Sequence, residues 1–291
     1  MVFVAAAICP HPPLLVPTAM GAAGRPETEP GGQPEQIRPL SPRAVAGPRI
    51  RQVSPRVLAD TQIRQLRSSC YAAVRELASA APDLIAVVGS GPATRSYPGT
   101  AAGSLRGFGI PFTTGDGEPV LPLSLTIGSW LIGRCLGGSG ADWSRDPRSG
   151  TPSGPGWRLE LHAVGGSEPP PVCLDLGRVL AASEPRVALL IVGEGTARKA
   201  LGASGAADPA ADRFDAAVAA ALATADMQAL ASLDPLAAAD LLVSGRVGWQ
   251  VLAGAAGSAG SAEGAVVRAR LRFAAAPIAV SYFVASWTVS R

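Results

Sequence analysis

Three stretches of the chain, residues 2–8, 84–88 and 187–192, are apolar without interruption and rich in aliphatic and β-branched side chains. Runs of that length and composition read as strands buried on both faces, the pattern of a parallel sheet. Between them the periodicity becomes helical. After Asp60, residues Leu66, Cys70, Val74 and Leu77 share one helical face, and Pro82-Asp83 ends that helix just before the strand at 84–88. The crossover from the first strand through this helix implies parallel strands. Helices are also expected over 123–136 and 172–182, in three alanine-rich pieces at 214–222, 227–233 and 235–242, and over 246–256. Residues 158–164 alternate polar and apolar, as a half-buried strand does, which puts His162 on the polar face. Two strands, 265–273 and 278–287, follow the last helix. Strands alternating with helices predict an α/β fold: one domain over residues 1–291, with a mainly parallel central sheet flanked by helices.

Three segments break the pattern. Residues 20–56 are rich in Gly, Pro, Glu, Gln and Arg and predict a flexible insertion within the domain. Residues 137–157 and 257–264 read as Gly/Ser-rich loops.

Composition adds a few exclusions. At 291 residues with 47% hydrophobic and 16% charged content the chain can bury a large core. Its basic residues are all arginine except Lys199, a skew that goes with plentiful Ala, Gly and Pro and reflects GC-rich codons rather than a function. A net charge of +3, without arginines interleaved with aromatics, argues against a nucleic-acid partner. Cys9, Cys70, Cys135 and Cys173 stand far apart, with neither zinc-site spacing nor a disulfide framework. No run is long and apolar enough for a membrane span, and the opening strand lacks the basic start of a signal peptide. A cytoplasmic protein with no membrane partner is expected, and homo-oligomerisation is left open.

Candidate chemistry gathers after the strands, where open α/β sheets place their sites. His11 is held between Pro10 and Pro12, a stiff turn that leaves it little entropy to lose. Gly89-Ser90-Gly91-Pro92 and Gly193-Glu194-Gly195-Thr196 end the other two strands. Neighbouring strands would bring His11, Ser90 and Glu194 to one crevice. The plainer alternative is that the glycines only make turns, with Ser90 and Thr196 capping helices. A Ser90–His11–Glu194 triad is conceivable, although the serine is not in a G-x-S-x-G elbow. Arg198 and Lys199 either hold an anionic substrate beside Glu194 or sit in solvent.

Taken in order, Cys9-Pro10-His11-Pro12-Pro13-Leu14-Leu15-Val16-Pro17, Pro82-Asp83-Leu84-Ile85-Ala86-Val87-Val88, Val192-Gly193-Glu194-Gly195, Leu242-Val243-Ser244-Gly245 and the closing Val280-Ser281-Tyr282-Phe283-Val284-Ala285-Ser286-Trp287 resemble the class III extradiol ring-cleavage dioxygenase superfamily, of LigB and Memo type. The alanine-rich composition is similar to an actinobacterial branch of it. The resemblance implies an extradiol dioxygenase-like fold and, in catalytic members, a ferrous ion held by two histidines and a glutamate, with another histidine as acid/base. His11 matches the first ligand. The second histidine falls where this chain has Gly89, Ser90 and Gly91, the acid/base histidine near Ala197, and the third ligand near Ser244.

Of the implied set this chain keeps His11 and Glu194, as metal ligands or as catalytic groups. Ser90, Thr196, Arg198, Lys199 and Ser244 become the substrate-binding candidates. Hydroxyls are poor ligands for iron or zinc, so the expectation is a degenerate site without cofactor, binding a small molecule or a partner. The alternative is an active non-heme metal-dependent oxidoreductase, with Fe(II) or Zn(II) in a site rebuilt through His162. A carboxylate beside an imidazole also predicts a raised His11 pKa and a lowered Glu194 pKa.

Overall fold

A computed structural model describes residues 2–17, 55–137, 156–198, 208–260 and 265–290. Its centre is a seven-stranded sheet in the order β3-β7-β2-β8-β1-β10-β9. The strands are β1 (Val2–Cys9), β2 (Leu84–Gly91), β3 (Arg95–Pro98), β7 (Arg158–Gly165), β8 (Arg186–Val192), β9 (Val266–Ala275) and β10 (Tyr282–Ser290). Four of them, β7, β2, β8 and β1, run parallel, while β3, β10 and β9 pair antiparallel at the flanks. All three apolar runs are internal strands. Burial on both faces is what their unbroken hydrophobic pattern requires.

The helices are α1 (Pro55–Ser79), α2 (Leu123–Leu136), α3 (Pro170–Ala181), α4 (Pro209–Thr224), α5 (Met227–Ala231), α6 (Pro235–Asp240) and α7 (Arg246–Gly260). One core lies under α1 and α2, joined by Leu66, Cys70, Val74 and Leu77. A second lies on the opposite face under α3, α4 and α7, around Trp249 and Trp287. The chain is therefore a single mixed α/β domain, with helices on both faces of one sheet.

Several boundaries differ from the sequence expectation. Helix α1 starts at Pro55, inside the segment read as the 20–56 insertion; the rest of that insertion, and 138–155 of the 137–157 loop, lie outside the described residues. Helix α7 runs on to Gly260, past the expected stop at 256. Between β2 and α2 the chain adds β4 (Ala101–Ser104), β5 (Thr113–Thr114) and β6 (Asp116–Pro119), a small separate sheet of short strands. Helices α4, α5 and α6 each begin after an aspartate cap: Asp208 accepts from the Ala210 N–H, Asp226 from Ala229 and Asp234 from Leu236.

Helices α3 and α7 touch backbone to backbone. A Cβ at Gly177 would stand 2.0 Å from the Val251 carbonyl oxygen, and one at Gly254 would stand 2.1 Å from that of Leu174. Both contacts are with rigid backbone, so the helices must separate to admit a methyl group. Gly177→Ala is expected to cost roughly 2–3 kcal/mol, the scale of overpacking in a tight core. A chemical-denaturation midpoint equal to that of the unaltered protein would disprove this crossing.

Candidate functional site

The carboxyl ends of β2, β8 and β1 lie side by side, and this places the chemistry. Cys9 pairs with Val192, and Val192 with Gly89, so His11 and Glu194 leave the sheet from adjacent strands beside Ser90, which stands in the last rungs of the ladder of β2. His11 follows Pro10 and precedes a short 3-10 turn, Pro13–Leu15, that begins with proline. From α1, Arg67 clamps that turn: its Nε donates to the Leu15 carbonyl at 2.8 Å and its Nη2 to Leu14 at 3.0 Å. His11 is thereby packed to 8% exposure, and its Nδ1 finds no hydrogen-bond partner among the described residues.

The loop after β8 is stapled on every side. The Gly193 N–H continues the ladder to the Cys9 carbonyl. The Glu194 N–H donates to Ser244 Oγ at 3.0 Å, and the Gly245 N–H returns to the Glu194 carbonyl at 2.9 Å. The Gly195 N–H donates to the Ser281 carbonyl, and the Ser281 N–H to the Thr196 carbonyl, next to β10. Beneath them Asp215 of α4, 5% exposed, accepts from the Thr196 N–H at 3.0 Å, the Thr196 hydroxyl at 2.7 Å and the Ser281 hydroxyl at 2.5 Å.

Thr196, a substrate-binding candidate from the sequence, is fully buried, with its hydroxyl committed to Asp215. It anchors the loop rather than facing a ligand. Arg198 is exposed, and Lys199 lies outside the described residues. Ser90 and Ser244 do come together. With Gly91, Gly166 and Arg246 they line a cavity of about 270 Å³ at the ends of β2 and β7. A larger hollow, about 610 Å³, opens at the opposite edge of the sheet among Val2, Pro185, Arg186 and Thr288, away from all of these groups.

Electrostatics reverse the sequence expectation for the central pair. Burial pushes His11 down to about 4. Burial also pushes Glu194 up to about 7, opposed in part by the backbone N–H of His11. The attraction expected between carboxylate and imidazole does not operate, because loss of water dominates at each group and the carboxylate is served by the His11 main chain. Neither group holds the other's charge. Tyr282 is buried within the field of Glu194, its phenol held neutral by burial and by that carboxylate. In the sequence Tyr282 belongs to a closing strand and has no evident role; only the pairing of β10 against β1 brings it to the site.

The metal set implied by the family resemblance does not fit these residues. The chain has two histidines, and the second lies elsewhere. His162 sits level with Ile8 but three strands away, through Val88 and Ile191. Its Nδ1 meets Ser96 Oγ at 3.0 Å and its Nε2 meets Glu160 Oε2 at 3.3 Å. It is buried by β3, not solvated as its alternating strand suggests. At the position of the second family histidine two of the three residues admit no side chain, since a Cβ at Gly89 would lie 2.6 Å from Ser124 and one at Gly91 would lie 2.8 Å from the Ala163 Cβ. The third, Ser90, offers a hydroxyl. Among the described residues no three His, Cys, Asp or Glu side chains gather closely enough to hold a metal.

No family model matches the sequence, and no curated protein matches it. Among solved structures, the chain is similar to that of an uncharacterized protein, JW3007, from Escherichia coli K12. The identity is 14% and the TM-score 0.43, with 98% of this chain and 99% of that one covered. No described helix is long and apolar enough to cross a membrane.

Proposed function

We propose that this chain is a class III extradiol dioxygenase-like protein with a degenerate metal site, and that its crevice binds a small molecule. The observation that supports this most is the meeting of a proline-held His11 with Glu194 at the ends of adjacent strands, where only two of the ligands implied by the family remain. A ferrous or zinc site needs at least three protein ligands, and imidazole or carboxylate rather than hydroxyl. Gly89 and Gly91 are packed against Ser124 and Ala163, and Ser90 supplies a hydroxyl where the family has an imidazole.

What remains is a proton site in a dry setting. His11 and Tyr282 are both held neutral, and Glu194 is a carboxyl group poised near neutrality, which can give or take a proton from a bound molecule. Elemental analysis of the untagged protein is expected to find well under one iron or zinc per chain. About one equivalent, lost in His11→Ala, would overturn the reading and restore a metal-dependent ring-cleaving oxidoreductase.

A further inference from the structure

The cavity of about 270 Å³ is built around a buried cation that forms no ion pair with a carboxylate among the described residues. Arg246 is 2% exposed. Its Nη1 donates to Gln250 Oε1 at 2.8 Å and its Nη2 to the Gly166 carbonyl at 2.7 Å. Both acceptors are neutral, and among the described residues no carboxylate forms an ion pair with it. A guanidinium carries five N–H donors, so three remain after these bonds. A buried charge is costly unless an opposite charge meets it. Burial accordingly pushes the guanidinium pKa down, and the fields of Cys173 and Asp234 offset this only in part.

The other walls favour the same ligand chemistry. Helix α7 begins at Arg246, and its first-turn N–H groups add a positive partial charge. The Ser90 hydroxyl makes no hydrogen bond to any described residue. Ser244 Oγ accepts from the Glu194 N–H and still has its own proton to donate. Val243 and Val247 supply an apolar side. At about 30 Å³ per water-sized unit, the volume suits a ligand of about nine non-hydrogen atoms.

We infer that this cavity is an anion subsite that takes the carboxylate or phosphate of a small acid with a short apolar body. The inference rests on the crevice reading above, because Ser244 belongs both to the cavity and to the Glu194 loop. Arg246 supplies the paired N–H donors for the oxyanion, and Ser90 and Ser244 complete its shell.

The test uses the full chain with three probes at matched ionic strength: isobutyrate, inorganic phosphate and isobutyramide, the last having the shape of the first without its charge. Isobutyrate or phosphate should raise the unfolding temperature saturably, and isobutyramide should not. Response to phosphate alone assigns the site to phosphate ligands; response to isobutyrate alone assigns it to carboxylates. Arg246→Met should weaken binding by about tenfold or more, with Arg246→Lys between. Val247→Phe, which fills the cavity and leaves the charge, should abolish the response and carries the test if Arg246→Met does not fold. Absence of a saturable response to either anion, equal response to the amide, or full binding by Val247→Phe would overturn the inference. NMR of the His11 ring separates the two readings. If isobutyrate and isobutyramide shift it equally, the anion subsite falls while crevice binding stands. If anions bind through Arg246 without moving His11, the subsite stands and the shared crevice falls.

Discussion

Asp215→Ala is expected to destabilise the protein by roughly 3–5 kcal/mol, the scale of breaking a buried charged network and leaving its donors without partners. That carboxylate accepts from, among others, the Thr196 N–H, the Thr196 hydroxyl and the Ser281 hydroxyl. None can turn to water, because Thr196 is fully buried and Ser281 is 2% exposed. Asp215→Asn keeps the volume but points an amide N–H₂ at one of the donors, so it should fall between the two. Urea unfolding monitored by tryptophan fluorescence measures both. An Asp215→Ala midpoint within error of the unaltered protein would mean that the Glu194 loop is held by its backbone bonds alone.

Glu194→Gln should have its effect only at higher pH, and in the stabilising direction. The carboxyl titrates at about 7 when folded, against an ordinary value near 4.5, so the unfolded chain loses its proton first. Above pH 4.5 ionisation therefore favours unfolding, and stability falls as pH rises toward 7. At about 1.4 kcal/mol per unit, the cost at pH 8 reaches up to about 3 kcal/mol, and glutamine removes it. His11 has the opposite dependence. Its value of about 4, against 6.5, means that the unfolded chain takes up the proton first as pH falls, so stability is lost between 6.5 and 4. In the unaltered protein the two slopes nearly cancel across the shared window. The stability difference between Glu194→Gln and the unaltered protein should rise from near zero at about pH 4 to its maximum by about pH 8. A difference that stays flat would show that Glu194 titrates as an ordinary surface carboxylate.

The fold is most legible where one force dominates. Leu84 to Val88 and Val187 to Val192 are buried on both faces, and a run with no polar residue has no other stable place. The short strands β3 and β6 are not legible, because Arg95–Pro98 and Asp116–Pro119 are polar, proline-bearing and nearly all exposed, so no periodicity marks them. Gly89 to Gly91 read as a loop on glycine content, yet they continue β2. Those glycines allow close packing against Ser124 and Ala163, a contact between distant parts of the chain that no local pattern encodes. The candidate site divides the same way. His11 and Glu194 are visible from strand ends and prolines, and Ser90 with Ser244 from the order of motifs. Asp215 and Arg246 escape notice, since a charged residue in an alanine-rich helix or at a helix start reads as solvated. Proximity in the sequence argument sets the expected pKa directions of His11 and Glu194, whereas burial decides them in the structure.

Strand β1 has a consequence for how the protein is made. It is synthesised long before both of its neighbours: Val2 pairs with Arg186, and Ala5 with Thr288. An apolar ribbon therefore leaves the ribosome with neither edge satisfied, and it waits for β10 before the second edge is closed. During that interval it is exposed to wrong pairing with other nascent chains. Truncated products that stop short of β10 would carry the His11 turn on an open-edged strand, and should be found with chaperones or in aggregates rather than as folded fragments.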